Sequence, residues 1–239
     1  MPRTRLSVNL NKVALIRNSR GENLPNLVQV ALDCEDFGAE GITVHPRPDE
    51  RHVRYADVPA LRERVRTEFN VEGNPNERFL RLVLDHPPHQ CTLVPDKPGA
   101  LTSSAGWDTW ANREFLTDVC TRLRERGIRS SIFVNADPRM VEGAQAVGAD
   151  RIEFYTGDFA RQFPTDREAA VAPHRTAAER ALEIGIGINA GHDLNTQNLR
   201  YYAQSVPGLL EVSIGHALIS DALYYGLSNT LQMYLRQLA

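Results

Sequence analysis

Four histidines and two glutamates stand where a folded chain could use them for proton transfer. His45, His52, His192 and His216 lie at or just beyond the ends of short apolar runs, and Glu72 and Glu153 sit inside two such runs, FNVE and RIEFY. A carboxylate within an apolar run is expensive to bury unless it faces a polar cavity. Beside imidazoles in such a cavity, its pKa moves toward the working range of acid–base catalysis. The other use of such a carboxylate is an interior ion pair with an arginine such as Arg151. One histidine of this kind is usually a satisfied structural group. Four of them with two carboxylates would all need buried partners, which points instead to catalysis or ligand binding. His86, His89 and His174 fall in helix-like or loop-like stretches and carry no such pattern.

Those side chains have to be positioned by an alternation that runs the whole length of the chain. Strand-like runs occur at Leu6–Leu10, Gly41–His45, Phe69–Glu72, Gln90–Val94, Ile128–Asn135, Arg151–Tyr155, Ile186–Asn189 and Leu210–Ile214. Between them, apolar residues recur at three- and four-residue spacing, predicting helices over Leu27–Phe37, Val58–Val65, Phe79–Leu84, Phe115–Leu123, Met140–Val147, Ala177–Ile184 and Leu199–Val206, with Ala217–Leu235 closing the chain. Asp137-Pro138 reads as an N-cap followed by proline in the first turn. Gly38, Gly127, Gly148 and Gly185 fall where left-handed C-caps would end a helix before the next strand.

Eight such units across residues 1–239 predict one α/β domain, a (β/α)8 TIM barrel with extra helical and loop insertions. An open doubly wound sheet is the alternative, weakened by the absence of GxGxxG and GxxxxGK[ST] phosphate loops. Pro95–Asp108 and Gly157–Thr165 are longer than the connections need to be and are candidate lids.

In a barrel, chemistry belongs at the carboxyl ends of the strands. There the sequence places Asn9, Asn11, Arg17 and Arg20, then His45, Arg47 and His52, then Glu72. Thr102 and Ser103 follow the fourth strand, and Asn135 and Asp137 the fifth. Glu153, Tyr155 and Thr156 belong to the sixth, Asn189, His192 and Asp193 to the seventh, and Ser213, Gly215 and His216 to the eighth. Gly215-His216-Ala217 leads straight into a helix, so backbone N–H groups there could cradle a phosphate, or the stretch is a plain tight turn. Arg20 and Arg47 could form a second anion site, which would imply two phosphorylated substrates or one bisphosphate.

Composition narrows the partners. Lys and Arg total 27 against 30 Asp and Glu, a net charge of -3, which gives no global field for nucleic acid or an anionic membrane. Only Lys12 and Lys97 among the basic residues are lysines. Cys34, Cys91 and Cys120 have no metal-ligand spacing and lie in apolar runs, which predicts buried reduced thiols. No window approaches about 18 apolar residues and the amino terminus carries no apolar stretch, so a cytoplasmic protein is expected.

The stretches NxNKxAxxRNxRG (9–21), GITVHPRPDERHV (41–53), FNVEG (69–73), TLVPDKPGALTS (92–103), NAGHDL (189–194) and EVSIGHALI (211–219) resemble the pyridoxine 5'-phosphate synthase family over essentially the whole chain. The resemblance implies a barrel that condenses 1-deoxy-D-xylulose 5-phosphate with 3-amino-2-oxopropyl phosphate. Closing the pyridine ring would release phosphate and water, with neither metal nor organic cofactor. It makes His45 and Glu72 proton acceptors, His192 a proton donor, and Glu153 a stabiliser of a charged intermediate. Asn9, Arg20, Gly215 and His216 match contacts to the aminoketone phosphate, and Arg47, His52 and Thr102 match contacts to the pentulose phosphate. The 95–104 loop matches a lid, and a homo-octamer is the family assembly. Two places depart from the pattern. Asn11-Lys12 stands where many members have Asp-His, and Asp193 stands where many have Gly. Asp193 is kept as a binding position through its backbone, its side chain turned away or capping the next helix.

Two rival readings remain. In one, His45, Glu72, Glu153 and His192 would ligate a divalent ion in a metal-dependent barrel acting on a phosphorylated sugar. In the other, the barrel would bind a phosphorylated ligand without catalysis.

Overall fold

The computed structural model describes residues 3–95 and 105–239. Eight parallel strands close into a barrel in chain order. They are β1 (Arg5–Asn9), β2 (Gly41–Val44), β3 (Glu68–Gly73), β4 (Gln90–Leu93), β5 (Arg129–Val134), β6 (Arg151–Tyr155), β7 (Gly187–Gly191) and β8 (Leu209–Ile214). The ring closes where Ser7 pairs with Ser213 and Val8 with Ile214. Thr102, Ser103 and the predicted 95–104 lid beyond Pro95 fall outside the described residues.

Eleven helices surround the described part of this barrel: α1 (Asn11–Asn18), α2 (Leu27–Asp36), α3 (Asp57–Arg64), α4 (Glu77–Asp85), α5 (Arg113–Glu125), α6 (Pro138–Ala146), α7 (Gly157–Gln162), α8 (Arg167–Ile184), α9 (Leu199–Ser205), α10 (His216–Tyr225) and α11 (Leu227–Leu238). The four expected glycine stops hold positive φ, from 69° at Gly127 to 103° at Gly38. Asp137 accepts a hydrogen bond from the Arg139 N–H, as its cap position predicts.

Four elements differ from expectation, the first being α1, which no predicted helix covers. The 157–165 stretch is no lid-like loop, because α7 occupies its first part and Phe159 packs on Tyr202 at 4.8 Å between ring centroids. Helix α8 begins ten residues before the predicted Ala177, capped by the Asp166 side chain, and carries Pro173 within it. The closing helix is two helices, divided at Gly226, whose φ of 76° and ψ of 151° no helix admits.

Alternation along the strands decides where the core lies. Leu6, Val8, Ile42, Val44, Phe69, Val71, Ile152, Phe154, Val212 and Ile214 are fully buried and belong to the apolar layer between barrel and helices. Every second residue points the other way, into the barrel, and these are largely polar. Barrels of this class usually fill that space with branched aliphatics. Here Ser7 and Thr43 hydroxyls meet at 2.8 Å, the Thr92 hydroxyl donates to Asn70 at 3.1 Å, and Asn189 donates to Gln90 at 3.3 Å.

At the floor, Glu68 is shared by Arg129, by Arg5 at 3.3 Å and by Arg151 at 3.7 Å. Burial opposes the Glu68 charge, yet these guanidiniums hold its carboxyl below the usual range. Arg151 also lies 3.9 Å from Glu211. Burial and the nearby Glu68 charge push Glu211 up to about 8. Arg151 therefore serves carboxylates of the floor.

Opposite shifts give opposite expectations. A raised folded-state pKa means stability that is complete below the unfolded value and lost as pH rises through the folded one. Glu211→Gln should thus gain on the parent across pH 5 to 8, read as a widening gap in thermal midpoint; a constant gap would contradict the assignment. Glu68→Gln should cost roughly 3–5 kcal/mol near neutral pH, because it strips a buried anion from its guanidiniums. A chemical denaturation curve unchanged from wild type would contradict that.

Candidate active site

Above the polar web, at the carboxyl ends of the strands, lies a cavity of about 310 Å3. Its wall is built from several strand ends. β1 and the first turn of α1 supply Asn9, Asn11 and Lys12; β2 and its loop supply His45, Arg47 and His52; the turn after β7 supplies His192 and Asp193; β8 and the start of α10 supply Ser213, Gly215 and His216.

Two imidazole–carboxylate pairs face this space. His45 Nδ1 is 4.0 Å from Glu72 Oε2, and His192 Nδ1 is 3.6 Å from Glu153 Oε1. Both carboxylates are only 1% exposed and stand on inward positions of β3 and β6. Glu72 accepts from Asn9 Nδ2 at 3.3 Å, and Glu153 lies 3.4 Å from the Thr92 hydroxyl, whose one proton it shares with Asn70. Burial pushes Glu153 up to about 7, with the Thr92 hydrogen bond opposing. A carboxyl poised there can hold or release a proton near neutral pH.

The histidines are set by backbone as much as by side chains. His192 carries a φ of 71°, a left-handed conformation that side-chain-bearing residues seldom adopt, and its N–H is tied to Ser213 O at 3.1 Å. Its ring stands edge-on to Phe133 at 5.2 Å. Preceding it, Gly191 must be glycine, because a Cβ there would lie 2.5 Å from Ser213 O and 3.2 Å from Glu153 Oε1. The His45 N–H donates to Asn11 Oδ1 at 2.9 Å, and the Asn11 N–H to Asn9 Oδ1 at 3.0 Å, so α1 fixes the end of β2. Burial, then the charges of His52, Arg47 and His192, hold His45 well below the ordinary imidazole range. His45 is thus neutral, and a weak base while those positive surroundings go unanswered.

Cationic and backbone donors suit the cavity to anions. Lys12 and Arg47 line it, and α10 opens into it at Gly215, where a Cβ would meet Asn9 at 3.0 Å. The helix start leaves N–H groups of its first turn unused within the helix. His52 and His45 rings meet edge-on at 6.1 Å.

Other expected positions fall elsewhere. Arg20 is exposed beyond the end of α1 and is not among the lining residues, because the helix carries the chain away from the mouth. Asn189 lies one layer down, accepting from Arg151 at 3.1 Å. Asn135 accepts from the Gly106 N–H and Asp137 caps α6, both structural. Asp193 is exposed at the rim and does not cap α9, whose cap position makes no side-chain bond. Its N–H is engaged with Gly191 O at 3.1 Å and Thr156 Oγ1 at 3.3 Å. Thr92 and Phe133, which orient Glu153 and His192, were not among the expected residues; their inward register was the available signal. Cys34, Cys91 and Cys120 are buried free thiols. Among the described residues, no three His, Cys, Asp or Glu side chains gather to hold a metal ion, and no helix is long and apolar enough to cross a membrane.

Comparison with known proteins identifies the family. The family model described as pyridoxal phosphate biosynthesis protein PdxJ matches residues 6–239. The chain is 60% identical to the pyridoxine 5'-phosphate synthase of Bacteroides thetaiotaomicron over 97% of its length and 98% of that protein. It is 57% identical to the enzyme of the same name from Cytophaga hutchinsonii, over 98% of this chain and 99% of the relative. Among solved structures, tryptophan synthase from Mycobacterium tuberculosis superposes with a TM-score of 0.66 at 15% identity, over 99% of this chain and 93% of the other, a likeness of fold alone. The chain belongs to the PdxJ family of pyridoxal phosphate biosynthesis proteins.

Proposed function

We propose that this chain joins 1-deoxy-D-xylulose 5-phosphate to 3-amino-2-oxopropyl phosphate and closes the pyridine ring of pyridoxine 5'-phosphate, releasing phosphate and water. The observation that carries the reading is the meeting of His45–Glu72 and His192–Glu153 around one cavity that also holds cationic and helix-start anion contacts. Imine formation, phosphate elimination, dehydration and ring closure each require proton transfers alongside the bonds made and broken, and so need several acid–base groups about one substrate.

In this scheme Asn9, Gly215 and His216 hold the aminoketone phosphate, while Arg47 and His52 hold the pentulose phosphate, with Thr102 beyond the described residues. Two bound phosphates would offset the positive surroundings of His45 and raise its basicity when both substrates are present. His45 and Glu72 then take protons from the condensing amine and the pentulose carbons, and His192 returns one to a leaving oxygen. Ionised Glu153 stabilises the cationic intermediate. Asp193 meets substrate only at the rim. Arg20 stays a proposed contact of the aminoketone phosphate on resemblance alone. A cytoplasmic homo-octamer is the proposed assembly, and it would cover apolar surface such as Leu223, 74% exposed, and Tyr224, 86% exposed.

The direct test incubates the protein with both substrates, without added metal, and reads product by absorbance and mass. Pyridoxine 5'-phosphate should appear, and His45→Ala and Glu72→Gln should each lower the rate by about 10²–10⁴ while remaining folded. Near wild-type turnover in either variant would refute its role, and Arg20→Ala with an unchanged KM for the aminoketone phosphate would remove that contact. A second measurement follows from the raised Glu153 pKa. If the ionised form is the working one, kcat should rise with pH through about 7. Glu153→Gln should abolish that limb, and a variant profile retaining it would assign the titration to another group.

A further inference from the structure

The Arg17-Asn18 pair of the RNxRG motif is absorbed by none of these roles, and neither residue lines the cavity. Arg17 is nevertheless only 3% exposed. Burying a guanidinium and its partner is at best weakly stabilising, so its geometry has to be explained by what it holds in place. Its Nη1 and Nη2 bind the two oxygens of Asp57 at 2.7 and 2.9 Å, and Nη2 also reaches the His52 carbonyl at 3.3 Å. Its Nε donates to Asn18 Oδ1 at 3.1 Å, which turns the Asn18 amide nitrogen toward the β2–α3 loop. There Nδ2 donates to His52 O at 2.7 Å and lies 3.1 Å from Arg51 O.

That loop, residues 45–56, carries both Arg47 and His52 into the cavity. It turns through Glu50, whose φ of 51° is a left-handed conformation costly for a residue with a side chain. A loop of this length needs external ties to keep one path, and α1 and α3 provide them at its far end, where Asp57 also accepts from the Arg54 N–H at 2.7 Å. Adjacent to the clamped carbonyl, the Val53 N–H donates to His52 Nδ1 at 2.9 Å. An Nδ1 that accepts carries no proton, so the single ring proton is on Nε2. Burial, then the charges of Arg47, Lys12 and Arg51, disfavour a second proton on this ring, with Asp49 opposing them.

We infer that Arg17 and Asn18 are positioning residues: they clamp the His52 carbonyl so that the Val53 N–H fixes the His52 ring as a neutral Nε2–H donor for the pentulose phosphate. The inference rests on the assignment of Arg47 and His52 to that phosphate. The clamp acts at the anion end of one substrate and leaves the Gly215–His216 end untouched.

The test uses the full-length protein with Asn18→Ala, Arg17→Met and Arg17→Lys. Asn18→Ala and Arg17→Met should raise KM for the pentulose phosphate about 10- to 100-fold, as a misplaced contact does. KM for the aminoketone phosphate should stay within about twofold in both. Arg17→Lys should not rescue, since a lysine cannot make the forked contacts. Nitrogen-15 spectra of histidine-labelled protein, with His52→Gln for assignment, should show a pure Nε2–H tautomer at His52 in the wild type and a mixture in Asn18→Ala. Equal rises in both KM values, an unchanged tautomer or full rescue by lysine would overturn the inference. So would loss of folding in Asn18→Ala, which leaves the Arg17–Asp57 pair intact. A wild-type chain that makes no product would contradict the proposed function instead, and the tautomer measurement would still decide the clamp.

Discussion

A carboxylate shut inside a protein must be answered by a donor, a cation or a proton, and the whole interior of this barrel is organised by that requirement. Its inward positions are largely polar, so each strand has to bring a partner for its neighbour's side chain at the same height. At the floor the answer is charge, with guanidiniums around Glu68. In the middle it is hydroxyl and amide chains through Thr43, Asn70 and Thr92. At the mouth it is incomplete by design of the register: Glu153 keeps one oxygen with no hydrogen-bond partner among the described residues, 3.6 Å from an imidazole nitrogen. Glu211 at the floor also keeps an oxygen without a hydrogen bond, but an arginine stands 3.9 Å from it, whereas Glu153 faces an imidazole.

The same register explains why chemistry can be distributed over strands far apart in sequence. Glu72 and Glu153 belong to strands three places apart, yet both face the axis, and Thr92 lies between them as Glu72's cross-strand neighbour and Glu153's donor. A one-residue slip of either strand would send its carboxylate into the apolar layer against the helices. Ring size and register, more than any loop, therefore set the distances at the site. The loops add anion contacts, and they need side-chain ties because nothing in the strand pattern fixes them.

Much of this could be read from residues alone, for identifiable reasons. LSVNL, GITVH and FNVEG alternate apolar and polar residues because one face meets helices and the other a polar interior, so the strands stood out clearly. Helix ends were marked by glycines that only a left-handed C-cap requires. Helix α1 was missed because its apolar pattern misleads: Leu15 and Ile16 face solvent while Arg17 is buried. Pro173 reads as a breaker, and it hid the first half of α8. The histidine and glutamate positions of the mouth were legible as polar residues out of place. Arg17 was visible as a polar residue after the first strand, but its clamping part was not, because its partners, the His52 carbonyl and Asp57 at the start of α3, are set by a loop path that no periodicity encodes. Arg20, named by resemblance, is exposed past the end of α1 and is not among the described residues that line the cavity.

The central claim is that His45 and His192, each backed by its glutamate, address one substrate from opposite sides of a single mouth. A crystal structure of the protein with 3-amino-2-oxopropyl phosphate bound tests this most directly. The account predicts the phosphate at the Gly215–His216 start of α10 and the amino ketone between the two imidazoles, within about 3 Å of a ring nitrogen. A phosphate seated elsewhere, or a substrate touching neither histidine, would contradict it.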